Sequence, residues 1–171
     1  MFSGNIDTTI PKTGKINQTG YAYFGNYVNS RQELFGSTIE EQSSFTHLCM
    51  RVRGDGRRYY ILLNTSGHLD VSWFDRHQYV LFTHGGPYWQ EVRIPFSKFF
   101  FHYQTFIQDE QIKLNPSLIK SIGILATDIF NGPFQLEIDY IGFMMDLQYR
   151  HKLDYEGYFH EQTLLKNLGS V

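Results

Sequence analysis

Cysteine is nearly absent from this sequence, which has Cys49 alone among 171 residues. One thiol cannot form a disulfide within the chain, which excludes a disulfide-stabilised scaffold and favours a reducing compartment. Cys49 lies in an apolar strand pattern, where burial would raise the pKa of its thiol and leave it unreactive. We therefore expect an inert, buried cysteine.

Charge is also scarce. Charged residues make up 19% of the chain, the net charge is -2 and no run of lysine or arginine occurs. These values exclude the basic surface that nucleic acids or anionic membranes require. No hydrophobic run approaches the length of a membrane span, and residues 1–12 resemble neither a signal peptide nor an arginine-rich presequence. We expect a soluble chain without a targeting segment, which is either a cytoplasmic protein or a mature or excised portion of a longer one, and features described below favour excision.

Aromatic residues, by contrast, are abundant at 17% of the chain. This composition argues against disorder and for a dense core rich in β-structure. A chain of 171 residues is long enough for one domain with a substantial core and too short for two domains that would each have one. We therefore expect a single domain.

Turn residues divide the chain into short β-rich segments. Tight turns are indicated at Gly54-Asp55-Gly56, Gly85-Gly86-Pro87 and Asn131-Gly132. Since a tight turn commonly joins antiparallel neighbours, we predict three hairpins. Pro95 should end one strand, and Asn115-Pro116 should begin a short helical turn. The predicted strands are Tyr21 to Val28, Phe45 to Arg53, Arg57 to Asn64, Gln78 to Thr83, Tyr88 to Ile94, Ser121 to Asp128 and Phe134 to Tyr140.

The alternation within these segments predicts which side chains face the core. Leu48, Met50 and Val52 share one face, and Cys49 lies on the other. In the last strand we expect an inward set running from Phe134 to Tyr140, with the alternation broken at Ile141. The inward residues of that set are Phe134, Leu136, Ile138 and Tyr140.

Many short strands at this spacing predict an all-β protein, an antiparallel β-sandwich or jelly roll with short helical turns. We assign residues 1–145 to one sandwich domain and residues 146–171 to a polar C-terminal tail. Leucines 164, 165 and 168 fit a short amphipathic helix within that tail.

A search for catalytic chemistry finds no strong motif. The seven histidines include no zinc-binding helical pair, and no nucleophile elbow or phosphate-binding loop is present. His68 with Asp70, or Asp75 with His77, would need a third ligand to hold a metal. Glu137 and Asp139 share a strand face and fit a glycosidase-like carboxylate pair, although a solvated outer face is the favoured interpretation. We predict no catalytic residue, metal or cofactor.

The surplus of aromatic residues is the more informative feature. Tyrosines and tryptophans occupy both strand phases, so one set should be exposed, where it can stack on sugar rings or bind a protein. Trp73, in the loop 73–77, either projects as an anchor or covers the open end of the sandwich. The full set is Tyr21, Tyr23, Tyr27, Tyr59, Tyr60, Trp73, Tyr79, Tyr88 and Trp89.

Four segments carry a resemblance to a known family: LCMRVRGDGR at 48–57, GGPYWQEVRIPFSKFFF at 85–101, SIGILATD at 121–128 and GPFQLEIDYIG at 132–142. In order and spacing they resemble the complex I intermediate-associated protein family. The resemblance implies a galactose-binding-like β-sandwich, related to carbohydrate-binding modules, in the mitochondrial matrix. It further implies a chaperone-like assembly factor for the respiratory NADH:ubiquinone oxidoreductase, which is not an enzyme.

One departure from the family concerns the N-terminus. Members carry a targeting region and a strand-forming segment with a GG-S motif ahead of the position matching Phe2-Ser3-Gly4, and neither is found here. If the segment supplies a strand, we expect an open sheet edge that is prone to aggregation or able to dock a protein.

The resemblance also implies partners: early membrane-arm intermediates, an acyl-CoA-dehydrogenase-like flavoprotein and an adaptor protein, which would hold the chain peripherally at the inner membrane. From expected exposure alone, we predict contacts on the hairpin around the Gly54-Asp55-Gly56 turn, in the long loop that contains Trp73, and in the tail from Tyr155 to Leu168. The individual residues are Arg53, Asp55, Arg57, Arg58, Trp73 and Arg76. The alternative function is a carbohydrate-binding module that uses an exposed aromatic face.

Overall fold

The computed structural model describes residues 1–10, 12, 14, 19–26, 44–65, 76–103, 106–109, 111–128 and 130–149. Over these residues the chain forms ten β-strands in two sheets, together with two short 3₁₀ helices. Every strand pairing is antiparallel. The predicted antiparallel β-sandwich is confirmed.

The smaller sheet, sheet A, has four strands in the order β1-β10-β3-β6. The long strand β10 lies between β1 and β3, so the first and last strands of the described chain pair with each other. The strands are β1 (Phe2–Ile6), β3 (His47–Gly54), β6 (Gln90–Pro95) and β10 (Gly132–Met144).

The larger sheet, sheet B, has six strands in the order β2-β9-β4-β5-β7-β8. Its central pair, β4 and β9, is flanked by β5 on one side and β2 on the other. The strands are β2 (Tyr21–Gly25), β4 (Arg58–Thr65), β5 (Arg76–Phe82), β7 (Phe100–Tyr103), β8 (Phe106–Ile107) and β9 (Ile119–Thr127).

The core lies between the two sheets and is built from alternate residues of the strands. Leu48, Met50 and Val52 of β3 are fully buried, as the alternation predicted. Cys49 lies half-buried on the opposite face, where partial burial raises the pKa of its thiol. The core also contains Tyr59, Ile61 and Leu63 from β4, Ile122, Ile124 and Ala126 from β9, and Phe134 and Leu136 from β10.

The three predicted hairpins are wrong. β3 lies in sheet A and β4 in sheet B, and the same division separates β5 from β6 and β9 from β10. Each tight turn is therefore an arch that passes from one sheet to the other. Strands joined by an arch face each other through side chains across the core and share no backbone ladder. Alternation and turn residues look alike in hairpins and arches, so these signals located the reversals but not the pairing.

The inward position of Tyr140 is also wrong. The register of β10 against β3 shifts between Ile138 and Tyr140, which marks a β-bulge. A bulge adds one residue to a strand and reverses its alternation beyond that point. Tyr140 is consequently exposed, while Ile141 and Phe143 pack against the core. The broken alternation at Ile141 was the signal of this bulge.

The proline signals in the sequence are confirmed. β6 ends at Pro95 and is followed by a 3₁₀ helix, Phe96–Lys98, whose Phe96 is buried next to Phe99. The second 3₁₀ helix, Pro116–Leu118, begins after Asn115, whose side chain accepts a hydrogen bond from the Ser117 amide. Strands β1, β7 and β8 were not predicted.

Candidate functional site

The three arches lie together at one end of the sandwich, which we call the arch end: residues 55–57, 83–89, 128, 130 and 131. The Gly56 amide donates a hydrogen bond to Thr83 Oγ1 over 3.1 Å, and the Thr83 hydroxyl donates to the Arg57 carbonyl over 2.8 Å. Arg57 Nη1 donates to the Phe130 carbonyl over 3.1 Å. These contacts tie the first arch to the other two. The sequence offered no sign that the three turns would meet.

Asp55 is the acceptor at the centre of the first arch. Its carboxylate accepts hydrogen bonds from the Arg57 amide at 3.0 Å and from the Gln135 amide at 2.8 Å. The hydroxyl of Tyr59 lies 3.1 Å from both carboxylate oxygens. Burial raises the pKa of Tyr59, and the neighbouring Asp55 charge raises it further, so this hydroxyl stays protonated and donates.

Arg57 forms an ion pair with Asp128 in the third arch. Nη1 of Arg57 lies 2.9 and 2.8 Å from the two Asp128 oxygens. The side chains are 19% and 8% exposed, so water screens the pair only weakly. The ion pair joins the first and third arches, and both charged groups are largely buried.

Arg53, at the end of β3, belongs to a charged ladder on the outer face of sheet A. Its guanidinium donates to both carboxylate oxygens of Glu137 on β10, at 3.2 and 2.6 Å. Two residues earlier on β3, Arg51 forms an ion pair with Asp139 at 2.8 Å. The ring of Trp89 lies 5.2 and 5.1 Å from the guanidinium carbons of Arg51 and Arg53, within cation–π range. The two arginines are thus held by carboxylates of β10 on one side and by the ring of Trp89 on the other.

A cleft of about 310 Å³ opens beside this ladder. Its polar lining comes mainly from Arg53, Asp55 and Glu137. Hydrogen bonding from Arg53 lowers the pKa of Glu137, so the carboxylate is ionised at neutral pH. A catalytic general acid needs the opposite, a carboxyl whose pKa is raised. The remaining lining residues are Gly54, Gly86, Pro87 and Gln135.

Exposed aromatic side chains accompany the arches. Tyr88 is 83% exposed, Phe130 64% and Trp89 37%, and Phe82 at the end of β5 is also exposed. Phe82 and Phe130 were not among the predicted surface rings, all of which are tyrosines and tryptophans. Their positions next to turn residues could have indicated that both rings are exposed. Tyr59, in contrast, is a core residue.

The predicted contact residues are only partly brought together. Asp55 and Arg57 belong to the arch end, and Arg53 and Arg58 flank it at the end of β3 and the exposed start of β4. Arg76 lies at the far end of β5, with its guanidinium 6.0 Å from the ring of Tyr23. Trp73 and the tail from Tyr155 to Leu168, including the expected helix, lie outside the described residues.

Metal chemistry finds little support in the part of the chain that the structure describes, where no three potential ligands cluster. His68, Asp70 and Asp75 lie outside it. His77 is buried, with Nε2 2.9 Å from the Ile112 carbonyl. Within the same described ranges, no helix is long and apolar enough to cross a membrane.

Comparison with known proteins decides the family. Residues 1–138 match the family model described as Complex I intermediate-associated protein 30. The chain belongs to this family. Relatives bearing that name, each called mitochondrial, include a Caenorhabditis elegans protein that is 40% identical over 92% of this chain and 46% of its own length. A Drosophila melanogaster member is 40% identical over 92% and 54%, and a Mus musculus member 37% over 91% and 47%.

The chain thus spans about half the length of the curated family members it matches. Among solved structures, it resembles the family 11 carbohydrate-binding module of a Clostridium thermocellum cellulase, with a TM-score of 0.55 and 19% identity over 88% of this chain and 89% of the other. The same module bound to a mixed-linked tetrasaccharide gives 0.52 and 16%, over 86% and 89%. At such identities the likeness shows a shared jelly-roll fold and nothing about ligands.

Proposed function

We propose that this chain serves as an assembly factor for mitochondrial respiratory complex I. It acts as a scaffold that binds assembly intermediates through protein contacts and catalyses no reaction. The observation that carries this proposal is the family match over residues 1–138, supported by relatives that are up to 40% identical and named for complex I intermediates.

The finer points of the proposal concern compartment and partners. We place the chain in the mitochondrial matrix, peripheral to the inner membrane through its partners. Those partners are early membrane-arm intermediates, an acyl-CoA-dehydrogenase-like flavoprotein and an adaptor protein. No cofactor is required for this role, since binding rests on surface complementarity.

We assign partner binding to the arch end. Its exposed rings and fixed arginines have the composition of interface hot spots, in which tryptophan, tyrosine and arginine are enriched. Because the arches are tied by hydrogen bonds and an ion pair, little conformational entropy would be lost on binding. Arg53 and Arg58 would touch the partner, while Asp55 and Arg57 would hold the surface in shape. Trp73 and Arg76 remain proposed contacts, although Arg76 begins β5 at the end of that strand away from the arches.

Affinity capture from detergent-solubilised mitochondria tests both the function and the surface. We expect the tagged chain to enrich complex I subunits, and the Tyr88→Ala/Phe130→Ala double variant to lose at least tenfold of that enrichment. The matched control is Leu147→Ala, since Leu147 is equally exposed at 86% and follows the opposite end of β10. Absence of complex I subunits from every sample would refute the function. Equal loss in the control would refute only the surface.

Two exposed tyrosines favour a second candidate function, carbohydrate binding. Tyr21 and Tyr23 are both exposed and lie two residues apart on the edge strand β2, so they point to one face. Aromatic rings at this spacing can stack on successive sugar rings. Saturable binding of a soluble β-glucan in calorimetry, abolished by Tyr21→Ala, would support this candidate. No heat of binding at millimolar glucan would exclude it.

A further inference from the structure

Strand β6 forms an open edge of sheet A. It pairs with β3 through Glu91 opposite Arg51, Val92 opposite Met50 and Arg93 opposite Cys49. Within the described ranges no strand pairs with its other side. An open edge presents unpaired amides and carbonyls to any extended chain that matches it.

The outer face of sheet A carries paired charges on its inner strands and unpaired charges on this edge. Arg51 and Arg53 of β3 are each bonded across to a carboxylate on β10. On β6 the outward residues are Glu91 and Arg93, both exposed, and neither forms an ion pair with another described residue. The pattern of cross-strand charge pairs therefore stops where the sheet stops.

The spacing of these charges makes the edge complementary to itself. We propose that β6 pairs antiparallel with β6 of a second copy, about a two-fold axis at Val92. In this register Glu91 faces the partner's Arg93, and Arg93 faces the partner's Glu91. Both pairs lie on the outer face, where directly opposed side chains are about 5 Å apart at Cβ. Two four-stranded sheets then form one continuous sheet across the dimer.

Among the described strands, the edges β1 and β2 lack this property. The exposed residues of β1 include Ser3 and Asn5, which are uncharged, and those of β2 include Tyr21 and Tyr23. Charges on an edge strand usually prevent pairing because like charges would meet. Opposite charges two residues apart do the reverse in a two-fold pairing, since each meets its counterpart. The charge pattern selects a second copy with β6 as the contacting strand.

The dimer should be weak, because a six-residue edge buries less than the roughly 1,000 Å² that stable interfaces require. Sedimentation equilibrium up to about 1 mM chain, a concentration suited to millimolar association, should show a monomer–dimer equilibrium. Glu91→Arg and Arg93→Glu each place like charges opposite each other twice. Each should weaken dimerisation about tenfold. The double variant exchanges the two charges and should restore it to within about threefold of the wild type.

The matched control is Lys113→Glu, a reversal at an exposed residue outside the sheets, which should change nothing. Hydrogen exchange on the wild type gives a readout that needs no variant: β6 amides should gain protection as concentration rises, while β1 amides do not. A wild-type chain that stays monomeric at 1 mM would overturn the proposal. So would single reversals without effect, or a double variant as weak as the singles. This inference is independent of complex I, so capture of complex I subunits neither supports nor damages it.

Discussion

Removing the guanidinium of Arg57 should destabilise the protein, because it deletes contacts that join two of the arches. Methionine has a similar length, so Arg57→Met keeps the aliphatic packing and deletes the contacts of Nη1 with Asp128 and with the Phe130 carbonyl. Asp128, 8% exposed, then keeps one hydrogen bond, from the Phe130 amide at 2.9 Å. Breaking a fully buried pair costs about 3–5 kcal/mol. Because Arg57 is partly exposed, we expect about 3 kcal/mol here.

Urea unfolding followed by tryptophan fluorescence measures this loss, since urea leaves ionic strength unchanged. In a domain of this size, about 3 kcal/mol corresponds to a fall of roughly 6–12 °C in Tm. In the double-mutant cycle with Asp128→Asn, the double variant should lose about 2 kcal/mol less than the sum of the singles.

Arg58→Met is the matched control for this experiment. Arg58 is the next residue, is exposed and makes no ion pair with another described residue, so its replacement should change stability by less than about 0.5 kcal/mol. The ion pair does not stabilise the arch end if Arg57→Met costs no more than the control, or if the effects of the two single variants add up in the double variant. Either result would mean that solvent satisfies both charges.

Two further predictions concern the core side of the arches and the response to acid. A Cβ at position 54 would overlap the side chain of Thr83, so Gly54→Ala should lower the free energy of unfolding by about 1–3 kcal/mol, and Thr83→Ser should not relieve it because Cβ remains. Burial lowers the pKa of His77 in the folded state. Below pH about 6.5 the unfolded state therefore binds a proton that the folded state does not, and the free energy of unfolding decreases as the pH is lowered. His77→Gln should therefore show a shallower decline between pH 7 and 5 in urea titrations, and an unchanged slope would contradict this.

The strands were predictable because alternation is a local property. Five of the seven predicted strands begin and end within two residues of the observed ones, among them β3, whose inward residues Leu48, Met50 and Val52 were predicted correctly. Their partners were not predictable by the same means. Gly54-Asp55-Gly56 reverses the chain equally well within a sheet or between sheets, and the difference lies in the distant partners, β10 for β3 and β9 for β4.

The candidate site divides in the same way. Asp55 and Arg57 could be found because they adjoin turn glycines, yet their sequence positions do not reveal that Gln135 and Asp128 would hold them. Arg53 likewise meets Glu137 only because β3 and β10 are neighbours in sheet A. Contacts between residues about 80 positions apart need the topology, which one sequence does not display.

The position of β10 between β1 and β3 has a consequence for the order of events during synthesis. β1 pairs with a strand that begins about 130 residues later, and β2 pairs with β9, which is also late in the chain. While the chain emerges from a ribosome or crosses a membrane as an extended polymer, its first strands have no partner to join. Such long-range pairings close slowly. The N-terminal strands therefore have no sheet partner until β9 and residues 132–136 of β10 have emerged.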